Sequence, residues 1–266
     1  MDKTLSRDGT PIAYRRRGDG PPVVLVGGAL STAVDQEPLA ALLERRFTVL
    51  TYDRRGRGAS GETGPYAVRR EIEDLAAVVA PAGRRVSVFG MLTGGALALE
   101  AHAAGVPMAR LAVYEPPYTP GAAGRLYKAR CGTRLHELLS DGDLAGAVAL
   151  YLSRTGVPEP TIARMRHDPL WAGLEATAHT LAYDDALLGT GAVPGERFAG
   201  VTARTLVVTG GFSTAQAHES TRALAAAVPR ARHRTLTGQT RELAPQAIAP
   251  VLTDFFTRDV CAHLAS

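Results

Sequence analysis

Two cysteines in 266 residues, Cys131 and Cys261, are too few and too far apart in sequence for a disulfide framework or a thiolate metal site. In a reducing compartment no bridge between them is expected, and both read as inert thiols. No apolar run approaches the roughly 20 residues of a membrane span. The opening Met1-Asp2-Lys3-Thr4-Leu5 lacks the apolar stretch of a secretory signal. A cytoplasmic protein without membrane contact is the expectation. Aromatics are scarce, at 6% with a single tryptophan. Arg15-Arg16-Arg17, Arg54-Arg55 and Arg230-Ala231-Arg232 therefore lack the interleaved rings that stack bases, and the net charge of +4 is modest. No nucleic-acid partner is expected, and these clusters read as solvated surface. His102, His136, His167, His218, His233 and His263 show no ligand spacing, so no metal and no cofactor are expected.

What is present is a 45% hydrophobic chain long enough for one large α/β domain with room for an inserted lid. Apolar runs alternate with amphipathic stretches, the pattern of strands crossing over into a parallel sheet. Residues 12–15 read as an edge strand. Val23-Val24-Leu25-Val26, Thr48-Val49-Leu50-Thr51-Tyr52, Val86-Ser87-Val88-Phe89, Leu111-Ala112-Val113-Tyr114 and Thr205-Leu206-Val207-Val208-Thr209 read as buried strands, and His233-Arg234-Thr235-Leu236 as a weak one. Helices are expected over 37–45, 68–79, 95–104, 215–227 and 247–256. From about 118 to 197 the rhythm breaks into helical pieces, 123–134, 144–155, 162–166 and 174–183, without strand signals. This divides the chain into a core, 1–117 and 198–266, and a helical lid, 118–197.

Between a strand and a helix stands Val88-Phe89-Gly90-Met91-Leu92-Thr93-Gly94-Gly95. A Gly-x-Ser-x-Gly elbow needs small residues two before and two after its nucleophile, because the turn is strained and crowded. Gly90 and Gly94 hold those places around Leu92. Making Thr93 the nucleophile would put Met91 in the first crowded place. With the loop Gly27-Gly28-Ala29, the turn Asp53-Arg54-Arg55-Gly56-Arg57-Gly58-Ala59-Ser60, Tyr114-Glu115-Pro116-Pro117 and Gly238-Gln239-Thr240-Arg241, in this order, the chain resembles the α/β-hydrolase superfamily, specifically its small bacterial members with a helical lid. The resemblance covers nearly the whole chain. It implies a mostly parallel central sheet flanked by helices, with the lid inserted.

The resemblance also implies roles, and the sequence departs from them. The nucleophile place is Leu92 and the general-base histidine place is Arg241. The acid place holds Ser213 after one strand, or Glu115 after the preceding one. Backbone N–H groups of Ala29 and Thr93 would be the oxyanion donors. Leucine has no proton to give and no lone pair with which to attack. An arginine stays protonated at any working pH and cannot act as a base. Losing either triad member costs about a millionfold in turnover. Asp53 with Arg54, Arg55 and Arg57 is expected only to order its turn.

The expected chemistry is therefore non-hydrolytic: cofactor-free cyclisation, isomerisation or elimination of an apolar, natural-product-type small molecule. Glu115, Arg241 and His179 are the candidates for charge stabilisation and proton transfer. Gly28, Leu30, Leu92, Tyr118, Trp171, Tyr183 and Phe212 are the candidate pocket. Glu115 and Arg241 could instead form a static pair, as in a pseudohydrolase that binds or senses a ligand. A third reading is residual hydrolysis through a water held by His179 or Glu115. His179 and Tyr183, four apart, are expected on one helix face. The oligomeric state is not legible.

Overall fold

The computed structural model describes residues 1–83 and 85–257; Cys261 and His263 lie outside them. In chain order the elements are β1 (Asp2–Leu5), β2 (Pro11–Arg17), β3 (Pro22–Val26), α1 (Glu37–Leu43), β4 (Thr48–Tyr52), α2 (Val68–Val79), β5 (Ser87–Met91), α3 (Thr93–Ala103) and β6 (Arg110–Tyr114). There follow α4 (Ala122–Ser140), α5 (Leu144–Arg154), α6 (Glu159–Met165), α7 (Trp171–Thr177), α8 (Leu181–Leu188) and α9 (Gly195–Phe198). The chain then returns to the sheet with β7 (Arg204–Gly210), α10 (Ala215–Ala227), β8 (Ala231–Leu236) and α11 (Pro245–Thr257). One eight-stranded sheet runs β1-β2-β4-β3-β5-β6-β7-β8. The β1–β2 and β2–β4 pairs are antiparallel, and every pair from β4 to β8 is parallel.

The alternating faces of the buried strands build two core layers. On one face Val24, Val26, Val88, Leu111 and Val113 pack against Leu75 and Val78 of α2, Leu97 of α3 and Leu224 of α10. On the other, Val23, Leu25, Phe89 and Tyr114 meet Leu39 and Leu43 of α1 and Ile248 and Leu252 of α11. The helices between β6 and β7 have a third core of their own, with Leu135, Val148, Ile162, Trp171 and Leu181, and the β3 loop residues Ala29 and Leu30 pack against it. That contact places the inserted helices over the carboxyl ends of the strands, where open α/β sheets bind ligands.

Three expectations need correcting. Residues 12–15 lie in β2, which is not an edge: β1, whose side chains are largely exposed, lies outside it. A strand without apolar alternation leaves no periodic signal. The helix expected over 174–183 is broken into α7, a 3-10 turn over Ala178–Thr180, and α8. The Thr180 hydroxyl donates to Thr177 O at 2.6 Å and accepts from Arg57 Nε at 3.0 Å, which tightens the chain there.

The third correction concerns the arginines. Arg230 and Arg232 are indeed exposed, and Arg17 pairs with Glu37 and Glu44 at the surface. Arg54, Arg55 and Arg57, by contrast, are each 1% exposed. Arg54 makes a bidentate pair with Glu71 of α2, 2.6 and 2.9 Å, and reaches Asp184 of α8 at 2.8 Å. Arg57 donates to the other Asp184 oxygen at 2.7 Å. Arg55 is bidentate to Asp74, 2.7 Å on each arm, and bonds Asp8 at 3.1 Å. Buried charge survives only when paired and hydrogen-bonded, and every one of these is. Burial works against the Asp184 charge, yet Arg54 and Arg57 outweigh it and hold the carboxyl below its ordinary value. Asp53 does order the turn, accepting from Ala33 N at 2.7 Å and Ala59 N at 2.9 Å.

Asp8 makes this cluster sensitive to acid. Burial opposes its charge, but hydrogen bonds from Thr10 and Arg55 bring the carboxyl down from 3.8 to about 2. A carboxyl depressed in the fold contributes stability above its unfolded value and loses it as pH falls through the folded one. Asp8→Asn is expected to lower the melting temperature at pH 6 and to leave the variant and parent equal once both are below pH 2. An equal gap at both pH values would show that Asp8 acts by packing and not by charge.

Candidate active site

The parallel register sets three strand ends side by side. Val26 pairs with Gly90, and Met91 with Tyr114, so the residues just beyond, in Gly27-Gly28, Leu92 and Glu115, lie next to one another across β3, β5 and β6. Leu92 N–H donates to Tyr114 O at 2.8 Å and Glu115 N–H to Val208 O at 3.1 Å, extending the ladder past the strands. Among the described residues three non-glycines have positive φ, and all sit here: Leu30 at 57°, Leu92 at 51° and Glu115 at 44°. Each such conformation costs on the order of 1–3 kcal/mol and persists only where the surroundings over-determine it.

Leu92 occupies the elbow. Its φ of 51° and ψ of −119° turn β5 sharply into α3. The two glycines are required by contact: a Cβ on Gly90 would lie 2.5 Å from Gly94 O, and one on Gly94 would collide with Val26 O. A Cβ on Gly28 would lie 3.3 Å from the Leu92 Cβ, so the β3 loop presses against the elbow. Thr93 opens α3, and the first N–H groups of a helix have no intrahelical acceptor. Its N–H, at the positive end of the helix dipole, faces developing negative charge well. At the centre of the elbow stands a leucine, whose side chain has neither a proton nor a lone pair to offer.

Glu115 is 4% exposed. Its Oε1 accepts from Gly210 N–H at 2.7 Å and from the Ser213 hydroxyl at 2.5 Å, which leaves Oε2 with capacity for a further proton or hydrogen bond. The two candidate acid places, Glu115 and Ser213, are therefore bonded to each other. Arg241 is half-buried in the turn after β8, which the Tyr114 hydroxyl anchors by donating to Thr240 O. Its Nη2 lies 3.4 Å from the Tyr151 hydroxyl on α5, and among the described residues no carboxylate pairs with it. The static Glu115–Arg241 pair of the pseudohydrolase alternative is not formed, because Gly210 and Ser213 already hold the carboxylate and the guanidinium extends to the inserted helices. Tyr151 carried no signal in the sequence.

The remaining candidates separate. Ala29 and Leu30 meet the core of the inserted helices, to which Trp171 of α7 belongs, buried with Nε1 donating to Glu175 at 2.7 Å. His179 is instead tied to Glu62 at 3.1 Å, beside the Tyr183 ring at 5.9 Å, and Tyr183 stacks on Tyr66 at 3.8 Å. Tyr118 is in the sheet core against Phe198, and Phe212 is 76% exposed, so neither stands where an enclosed pocket wall was expected. Their aromatic character gave no direction; the chain path after β6 and β7 did. Among the described residues no group of side chains could hold a metal ion, and no helix is long and apolar enough to cross a membrane.

This geometry agrees with three kinds of likeness. A family model described as "Alpha/beta hydrolase family" matches residues 23–250. The crystal structure of an alpha/beta hydrolase from Sphaerobacter thermophilus is similar at 49% identity and a TM-score of 0.87, over 96% of this chain and 100% of that one. A hydrolase from Pseudomonas aeruginosa is similar at 26% identity and a TM-score of 0.75, over 96% of this chain and 97% of that one. Among curated proteins, a non-heme haloperoxidase from Rhodococcus erythropolis is 38% identical over 98 residues, a match that spans only 36% of either protein. With the family model spanning residues 23–250 and both the elbow and the eight-stranded sheet in place, the chain belongs to the alpha/beta hydrolase family.

Proposed function

We propose that this chain is a non-hydrolytic member of its family, which rearranges an apolar, carbonyl-bearing small molecule by isomerisation, cyclisation or elimination without a cofactor. Residues 118–197 act as its lid. The observation that carries the reading is the set of strained residues at three neighbouring strand ends, with leucine in the nucleophile's conformation. Strain of this kind gathers at functional sites. Here it holds an N–H donor pair, Ala29 and Thr93, around a place where no covalent acyl intermediate can form.

The chemistry that remains is charge stabilisation and proton transfer. The donor pair takes the substrate oxygen, and preorganised dipoles of this kind supply the largest share of many rate enhancements. In an isomerisation, Glu115 Oε2 takes a proton from the carbon beside the carbonyl, the two N–H groups hold the enolate oxygen, and Glu115 returns the proton to another carbon. Mass is conserved. Arg241, level with the lid, adds a fixed positive charge for an anionic group. Leu92 and Leu30 give the substrate an apolar floor.

A second reading, a ligand-binding pseudohydrolase, is favoured by one observation. Each candidate catalytic side chain already has a partner: Glu115 has Ser213, Arg241 has Tyr151 and His179 has Glu62. One experiment separates the readings. The purified protein is incubated with an extract of its host, and small molecules are analysed before and after by chromatography and mass spectrometry. A compound that changes retention at constant mass, or loses one water, supports turnover; one retained unchanged supports the binding reading. An acyl adduct on the intact protein after exposure to activated esters would sink both.

A further inference from the structure

The elbow, the oxyanion loop and the inserted helices meet in one buried ion cluster. Asp184 accepts from Arg54 Nη1 with Oδ1 and from Arg57 Nη2 with Oδ2. The same guanidiniums continue toward the strand ends. Arg54 Nη1 lies 3.5 Å from Gly27 O and 3.4 Å from Thr93 Oγ1, and Arg57 Nη1 lies 3.5 Å from Gly28 O. These distances are long for hydrogen bonds. All three charged side chains are nonetheless more than nine-tenths buried, where charge and carbonyl dipole interact far more strongly than in water. An independent contact joins the same parts: Ala29 and Leu30 pack on the apolar core of the inserted helices.

The carbonyls of the oxyanion loop therefore face two cations whose shared counter-charge is carried by the lid. We propose that Asp184 is a positioning residue: with the lid seated, it holds Arg54 and Arg57 against Gly27 O, Gly28 O and the Thr93 hydroxyl, and so aims the N–H groups of Ala29 and Thr93. Lifting the lid withdraws the carboxylate and leaves Arg54 and Arg57 side by side, with Glu71 as the remaining carboxylate on Arg54. The cations then move apart, and the loop carbonyls lose what fixes them. The donor pair is thus assembled only when the lid excludes water, which restricts charge stabilisation to the closed state. The inference rests on the reading of Ala29 and Thr93 as the oxygen-holding donors.

The test is amide NMR of the full chain, comparing the parent with Asp184→Asn, which removes the charge at almost constant shape. The Gly28, Ala29 and Thr93 cross-peaks are expected to shift or broaden, while those of Val113 and its neighbours in β6 keep their positions. Asp184→Glu, which restores the charge, is expected to return the Ala29 peak toward the parent. Change confined to α8, with Gly28 and Ala29 unmoved, overturns the proposal and leaves Asp184 as a lid anchor alone. An equal change across the whole sheet overturns it as well. If Asp184→Asn does not fold, Thr180→Val, which removes the Arg57 Nε partner together with the hydroxyl's bond to Thr177 O, reads the same Gly28 and Ala29 signals. No substrate enters the measurement. A protein that turns nothing over would refute the catalytic reading and leave the coupling standing, whereas unmoved amides would do the reverse.

Discussion

Arg54→Met is expected to lower stability by about 3–5 kcal/mol, the usual cost of removing one partner from a buried ion pair. Arg54 is 1% exposed and satisfies both oxygens of Glu71 and one of Asp184. Methionine fills much of the same volume, so the loss is of charge and hydrogen bonds more than of packing. What remains is two buried carboxylates near one another, with Arg57 left to serve Asp184 and the Tyr66 hydroxyl left to serve Glu71. For a domain of this size each kcal/mol moves the melting temperature by about 2–4 °C, so a fall of roughly 10 °C is expected in calorimetry. The loss should shrink when Glu71→Leu is added, because that removes one of the stranded charges. A fall of only a degree or two would mean that water reaches the cluster and that it contributes little to holding α2 and α8 on the core.

The second large effect is a gain. Leu92→Ser combined with Arg241→His is expected to create esterase activity at least about a thousandfold above the parent, since a nucleophile and base together are worth about a millionfold and the proposed donor pair is backbone that neither substitution removes. Leu92 has the backbone conformation that the elbow imposes on its central residue, so serine there needs no rearrangement. Neither single variant is expected to gain much: serine without a base is a weak nucleophile, and histidine without serine has nothing to activate. Glu115, already at the end of β6, is the carboxylate available to orient the new imidazole. Adding Ser213→Asp as well should be harmful, since Ser213 Oγ lies 2.5 Å from Glu115 Oε1 and two carboxylates there would repel. The measurement is initial-rate hydrolysis of short-chain p-nitrophenyl esters. A double variant that folds yet stays at the parent rate would show that residues 92 and 241 do not face a common point.

Most of the sheet was legible because its strands are buried on both faces and read as continuous apolar runs. The strand Thr48–Tyr52 and the helices Val68–Val79 and Ala215–Ala227 stand where their patterns placed them. The elbow was legible for a different reason: backbone collision leaves Gly90 and Gly94 no alternative, so the turn writes itself into sequence whatever residue stands at its centre. The unpatterned strand Asp2–Leu5 and the break at Ala178–Thr180 had no such signature. Arg54 and Arg55 read as surface because their acidic partners, Glu71, Asp74 and Asp184, lie far along the chain, up to 130 residues away for Arg54 and Asp184. Composition cannot tell a solvated arginine from a buried one.

By itself the sequence determined the α/β-hydrolase fold and put a leucine at the centre of its strand-to-helix elbow, since both follow from local spacing, strand pattern and residue chemistry. Only the tertiary structure decided the partners: Glu115 with Ser213, Arg241 with Tyr151, and Asp184 with the arginines beside the Gly27-Gly28 loop. A partner is chosen by which distant groups the packed sheet and inserted helices bring within about 3 Å, and no local property of the chain encodes that distance.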